Sequence, residues 1–350
     1  FKISYSLNIS VLFLKQLSAP LLKMKNYILL LLIFLTSFVS QANNYDLLKC
    51  EQFTIEDGLP QSNIETIFQD KKGFLWIATQ DGVSKFNGYQ FENFYSNPFN
   101  SESILSNYVI KISSWHKDSI CFTTTIGLSI FDPVTKIFKN YPFSLRDKSI
   151  GKIKGSLLLK DNKILLISNK GLYEIDLSKS KNSITTVSNE KGFNLIHQFN
   201  DRIFITSQNY LYELKEKTLN ILKSFNQNIS SLFLDEKGIN VMLGDSLIRF
   251  ENNFTSQESY KFPSKLNVCI KVDGDYWLGT ENDGLFIFNS NKKEQIQQVY
   301  SNGRSNNLLS QKIRSIFKDE FGVIWIGTDK GLNKIDLSKK QFLQVKPSNY

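Results

Sequence analysis

Gly73-Phe74-Leu75-Trp76-Ile77-Ala78-Thr79-Gln80-Asp81-Gly82-Val83-Ser84-Lys85-Phe86 decides the fold. Apolar and polar residues alternate on either side of Gln80-Asp81-Gly82, the pattern of two strands joined by a tight turn. The chain repeats this hairpin at Tyr276-Trp277-Leu278-Gly279-Thr280-Glu281-Asn282-Asp283-Gly284-Leu285-Phe286-Ile287-Phe288 and again at Gly322-Val323-Ile324-Trp325-Ile326-Gly327-Thr328-Asp329-Lys330-Gly331-Leu332-Asn333-Lys334-Ile335. A recurring hairpin is the mark of a repeat architecture.

Gly127 and Gly171 anchor two further copies, and Tyr210 and Ser246 anchor two weaker ones. From Gly82 to Gly331 the seven anchors are spaced by 45, 44, 39, 36, 38 and 47 residues. That period holds four short strands and matches a β-propeller blade. Each copy also carries a strand before the hairpin, as in Ile64-Glu65-Thr66-Ile67-Phe68, a polar turn such as Asp70-Lys71-Lys72-Gly73, and a fourth strand such as Phe91-Glu92-Asn93-Phe94-Tyr95. The expected fold is all-β: a seven-bladed propeller of four-stranded antiparallel blades spanning residues 43–345. Two segments compete to close the ring as the last fourth strand, Cys50-Glu51-Gln52-Phe53-Thr54-Ile55 and Gln341-Phe342-Leu343-Gln344-Val345.

The 350 residues are 41% hydrophobic and 21% charged, as in a folded globular chain. Residues 1–42 hold four lysines and no acid, and the rest of the chain has 38 basic against 33 acidic residues, or +5. Those basic residues form no block or helical stripe, so nucleic-acid binding is not expected. Met24-Lys25-Asn26-Tyr27, the apolar run from Ile28 to Val39 and Ser40-Gln41-Ala42 read as a signal peptide over 24–42, cleaved after Ala42. An uncleaved anchor is the rival reading. Residues 1–23 read as an upstream extension and 346–350 as the start of a following domain. The mature chain is therefore expected to be exported, to a bacterial periplasm.

Cys50, Cys121 and Cys269 show no metal-ligand spacing, and His116 and His197 are far apart, so no metal or cofactor is expected. Trp76, Trp277 and Trp325 share one strand position and read as core. Trp115 stands outside the pattern, beside a turn, and is a better candidate than these for a surface aromatic. In a propeller the hairpin turns and the connections between blades share one face, where ligands commonly bind. Here that face offers Gln61, Asn63, Gln80, Asp81, Glu281, Asn282, Asp283, Asn307, Asp329 and Lys330 as candidate ligand contacts. Amides and carboxylates suit sugar hydroxyls, which need directed donors and acceptors. The same residue types also form turns for backbone reasons alone.

Asp57-Gly58-Leu59-Pro60-Gln61-Ser62, then Asp70-Lys71-Lys72-Gly73-Phe74-Leu75-Trp76-Ile77-Ala78-Thr79 and Asp81-Gly82-Val83, resembles the two-component regulator propeller repeat. So does the last copy, from Asn307-Leu308-Leu309-Ser310 through Trp325-Ile326-Gly327-Thr328 to Gly331-Leu332. The resemblance implies the periplasmic sensor region of a hybrid histidine kinase, with a carbohydrate-like ligand and downstream propeller, membrane and kinase regions as partners. No kinase motif occurs in these residues, so the chain itself is not expected to be an enzyme. The alternatives are a secreted lyase or glycosidase acting on polysaccharide, for which a carboxylate pair on this face would be needed, and a non-catalytic interaction scaffold that dimerises through a propeller edge.

Overall fold

The computed structural model describes residues 48–143, 147, 150–179, 183–235, 238–251, 254, 257–289, 291–292, 294–301 and 307–338. The expected signal peptide, the upstream extension, the alternative closing strand at 341–345 and the start of a following domain lie outside these residues. Among the described residues no helix is long and apolar enough to cross a membrane.

Seven antiparallel sheets of four strands each make up the described chain. Blade 1 comprises Ile64–Gln69, Leu75–Thr79, Gly82–Phe86 and Phe91–Phe94, from the inner strand outward. The inner strands of blades 2 to 7 are Val109–Ser114, Ile153–Leu158, Phe193–Phe199, Ile229–Asp235, Leu266–Val272 and Ile313–Lys318. Each inner strand neighbours the next, and that of blade 7 neighbours that of blade 1, so the ring is closed around a central channel. Blade 7 takes its outer strand from the N-terminal side: Cys50–Phe53 pairs with Leu332–Ile335 in the register Cys50 to Ile335 and Phe53 to Leu332. Of the two competing segments, Cys50–Phe53 therefore fills the place, and in doing so it covers an edge that could recruit another chain.

The repeat signature has a physical cause at each position. In blade 1 the Asp70 carboxylate accepts the amide N–H groups of Lys72 (2.9 Å) and Phe74 (3.0 Å) through one oxygen and the Trp76 indole N–H (2.9 Å) through the other. Asp319 repeats this in blade 7 with Phe321, Val323 and Trp325. One side chain thus fixes the turn and anchors the core indole to it. At the far end of the same strand Thr79, Thr124, Thr280 and Thr328, all buried, donate their hydroxyls to the carbonyls of Gly82, Gly127, Gly284 and Gly331 and so clamp the hairpin. Gly284 has φ +74°, and a Cβ there would stand 2.3 Å from the Val299 carbonyl oxygen, so only glycine fits.

The small residue before the threonine serves blade-to-blade contact. A Cβ on Gly279 would lie 2.4 Å from Ile313 of the next inner strand, and one on Gly327 would lie 2.6 Å from Ile64. Gly279→Ala is therefore expected to lower stability by roughly 1–3 kcal/mol through overpacking. An unchanged urea midpoint would show that the neighbouring blade can move aside. Between blades the cores are aromatic, and Trp76 meets Phe94, Phe122 and Phe131 at centroid distances of 5.5, 5.4 and 5.2 Å. Trp277 and Trp325 are buried as well, as expected for core residues. Cys50, Cys121 and Cys269 are free and buried, and burial pushes the Cys121 thiol up to about 12.

Candidate functional site at the channel mouth

All seven blades share one irregularity. The pairing of inner and second strands slips by one residue at Glu65, Ile110, Lys154, Asn194, Ser230, Asn267 and Arg314, each the second residue of its inner strand. A bulge of this kind frees its extra residue from the ladder and re-aims the side chain. Three of the bulged side chains reach forward to the next blade. Ser230 donates to the Leu266 carbonyl (3.0 Å), Asn267 to the Ile313 carbonyl (3.2 Å), and Arg314 to the Glu65 carboxylate (2.7 Å). They lie near the start of the inner strands, where the chain enters from the blade connections. Hairpin turns meet the same connections: the Gln80 N–H donates to the Asn63 carbonyl, and that of Gly82 to Asn107.

The result is a continuous polar arc from blade 6 to blade 2. Lys312 binds Glu281, and Asn267 also donates to that carboxylate. Donation from Lys312, the leading cause, holds the Glu281 carboxyl below its ordinary value despite burial. Arg314 and Gln80 both donate to Glu65, at 2.7 and 2.8 Å. Tyr108 lies beside this pair, and its hydroxyl is held above the usual phenol value, first by burial and then by the Glu65 charge. Asn63 Oδ1, Asp329 Oδ1 and Arg314 Nε are buried in this arc without a protein partner. Such atoms carry an unmet desolvation penalty of about 1–3 kcal/mol each.

Deeper in the channel stand two basic side chains. Lys111 donates to the Ser156 carbonyl (2.8 Å), and burial lowers its pKa. His197 is pushed down to about 4, first by burial and then by the Lys111 charge. Among the described residues no group of three or more His, Cys, Asp or Glu side chains could hold a metal ion.

Of the ten candidates read from the sequence, Asn63, Gln80, Glu281 and Asp329 belong to the arc. Asp81 accepts a bond from Asn107 (2.7 Å), which ties the hairpin to the next connection. Gln61 accepts the Asn63 amide N–H (2.6 Å) within its own loop. The Asn307 carbonyl accepts from Gln52 and Asn333, bracing the ring closure. The Asp283 amide is held by Thr280, and Asn282 and Lys330 are exposed at turn tips. Glu65, Tyr108, Asn267, Lys312 and Arg314 were not among the candidates. The signal for three of them was the residue after the first apolar position of each inner strand, which is polar in six of the seven copies.

The two best-formed repeats are also where a known family matches. The profile described as "Two component regulator propeller" matches residues 58–81 and 307–330, which are the turn, indole and threonine clamps of blades 1 and 7 with the connections leading into them. Two of the seven repeats, those of blades 1 and 7, are thus similar to that family's repeat. A 54-residue stretch is 48% identical to Histidine kinase P4 of Formosa agariphila, covering 15% of this chain and 4% of that protein. Among solved structures the ring superposes on the extracellular domain assigned to a hybrid two component system of B. thetaiotaomicron, with a TM-score of 0.71 and 21% identity over 83% of this chain and 42% of that one. It also superposes on a streptogramin B lyase, with a TM-score of 0.65 and 12% identity over 84% of this chain and 99% of that one. At these identities the structural likeness is one of fold. The chain spans about two fifths of the hybrid-system structure and a small part of the curated kinase.

Proposed function

We propose that this ring is the ligand-sensing part of a two-component regulator, exported to the periplasm, and that it passes its signal to kinase regions of a longer protein. The observation that carries the reading is the polar arc at the channel mouth of a ring whose first and last blades match the regulator propeller repeat. The arc alternates carboxylates (Glu65, Glu281, Asp329), amides (Asn63, Gln80, Asn267), cations (Lys312, Arg314) and the Tyr108 phenol. A polyhydroxylated, carbohydrate-like ligand supplies donors and acceptors together, which matches the mixture of both in the arc. Binding acts without turnover, by favouring one of two pre-existing arrangements of the longer protein that the kinase distinguishes.

The test is a calorimetric titration of the first oligosaccharide found to raise the melting temperature. The double variant Gln80→Ala with Lys312→Met is expected to bind it at least tenfold more weakly, about 1.4 kcal/mol or more, with little change in melting temperature, since both side chains sit at the solvent-facing end of their networks. Undiminished affinity in that variant would move the site away from the mouth.

A further inference from the structure

A second cleft lies between blades 2 and 3, at the end of the ring opposite the mouth, where turns join inner to second and third to outer strands. It has a volume of about 510 Å³, within the range of small-molecule sites. Its floor is aromatic and apolar. Trp115 is packed against the core of blades 2 and 3 with Ile130 and Leu177, and stays partly exposed. The His116 ring meets the indole edge-on at 4.7 Å between centroids.

The rim of the cleft is cationic. Lys117 and Lys139 both line it and neither forms an ion pair among the described residues, while the neighbouring Asp118 is occupied by Lys71 at 3.2 Å. Lys139 Nζ stands 5.6 Å from the centre of the Tyr141 ring. Asp132 is the one carboxylate in the lining, and it accepts the Val134 amide (2.8 Å). The turns that present these groups hold non-glycine residues in the left-handed region: Lys117 at φ 52°, Lys136 at φ 59° and Asn162 at φ 57°. Conformations of this kind persist only where the surroundings enforce them, and they gather at ligand sites.

We propose that this cleft is a binding site for an acidic saccharide unit, with its ring against the open face of Trp115 and its carboxylate or sulfate between Lys117 and Lys139. Amphipathic sugar rings match a partly exposed indole, which joins an apolar face to one N–H donor. Two unpaired ammonium groups against one engaged carboxylate select for negative charge. The site is separate from the channel mouth, and it stands whether or not the mouth binds a ligand.

Tryptophan fluorescence tests it directly, because Trp76, Trp277 and Trp325 are buried and Trp115 alone is open to solvent. Titration of the chain with an oligogalacturonide trimer is expected to give a saturable change in emission and protection from acrylamide quenching, weakened by added salt. Maltotriose, a neutral trimer, is expected to bind at least tenfold more weakly. Lys117→Met with Lys139→Met, two changes at the surface, is expected to weaken the oligogalacturonide at least tenfold. Gln80→Ala with Lys312→Met at the mouth should leave this titration unchanged. No saturable change, equal binding of maltotriose, full affinity in the Lys117→Met, Lys139→Met variant, or an equal response to sodium sulfate alone would each overturn the proposal.

Discussion

Trp76→Ala is expected to lower the unfolding free energy by about 3–5 kcal/mol, the range for truncating a fully buried large aromatic. The side chain is 0% exposed and sits between blades 1 and 2 against three phenylalanine rings. It also closes the Asp70 turn through its indole N–H. The two contributions separate by substitution. Trp76→Phe keeps most of the apolar contact but leaves one Asp70 oxygen without its donor, and it should cost about 1–3 kcal/mol. Asp70→Ala removes the turn bonds and orphans the buried indole, with a cost of similar size. Urea denaturation measures all three. A loss below about 1 kcal/mol for Trp76→Ala would contradict the account of the repeated tryptophan as a core residue tied to its turn.

Acidification is expected to weaken the ring by up to about 3 kcal/mol through His197 alone, at 1.36 kcal/mol per pKa unit. In the folded chain the imidazole is held near 4 by burial and by Lys111, while in the unfolded chain it takes a proton near the ordinary value of 6.5. Between those two values the unfolded state binds more protons, so stability falls as pH drops from about 6.5 to 4. Carboxylates with lowered values, such as Glu281 and Asp176, also lose stabilisation in acid. The quantity to measure is therefore the difference between the parent and His197→Gln. That difference should shift by about 3 kcal/mol across the window, and a constant difference would contradict the buried, cation-facing placement of the ring.

Blades 1, 6 and 7 could be read from the sequence because each clamp there uses a distinctive residue: the turn aspartate in blades 1 and 7, the indole and the hairpin threonine in all three. Blades 4 and 5 dilute the signature, with Phe204 and Met242 at the tryptophan position, since any large apolar side chain fills that space once the ring is closed. The closing strand was ambiguous because both 50–55 and 341–345 alternate as a strand does. What decides for Cys50–Phe53 is pairing with Leu332–Ile335, a contact between chain ends that local pattern does not carry.

The candidate site was half legible. Gln80 and Glu281 stood out because they lie in turns, where polar residues attract attention. Glu65, Asn267 and Arg314 looked like the outward positions of ordinary strands, and only the bulge common to all seven blades re-aims them. Asp81 shows the reverse case: it has the chemistry of a ligand contact and the position of one, yet its carboxylate is engaged by Asn107.

The central claim is that the ring binds a ligand at its mouth and does not transform it. The direct measurement is a thermal-shift screen of the chain against monosaccharides, oligosaccharides and polysaccharides, with product analysis of every positive. The account predicts a saturable rise in melting temperature for at least one carbohydrate, as expected for a ligand that binds only the folded state. It also predicts that this ligand is recovered intact and that the rise disappears in the Gln80→Ala, Lys312→Met variant. Cleavage of the ligand would place the ring among propeller enzymes, and a rise that survives the double variant would contradict the site.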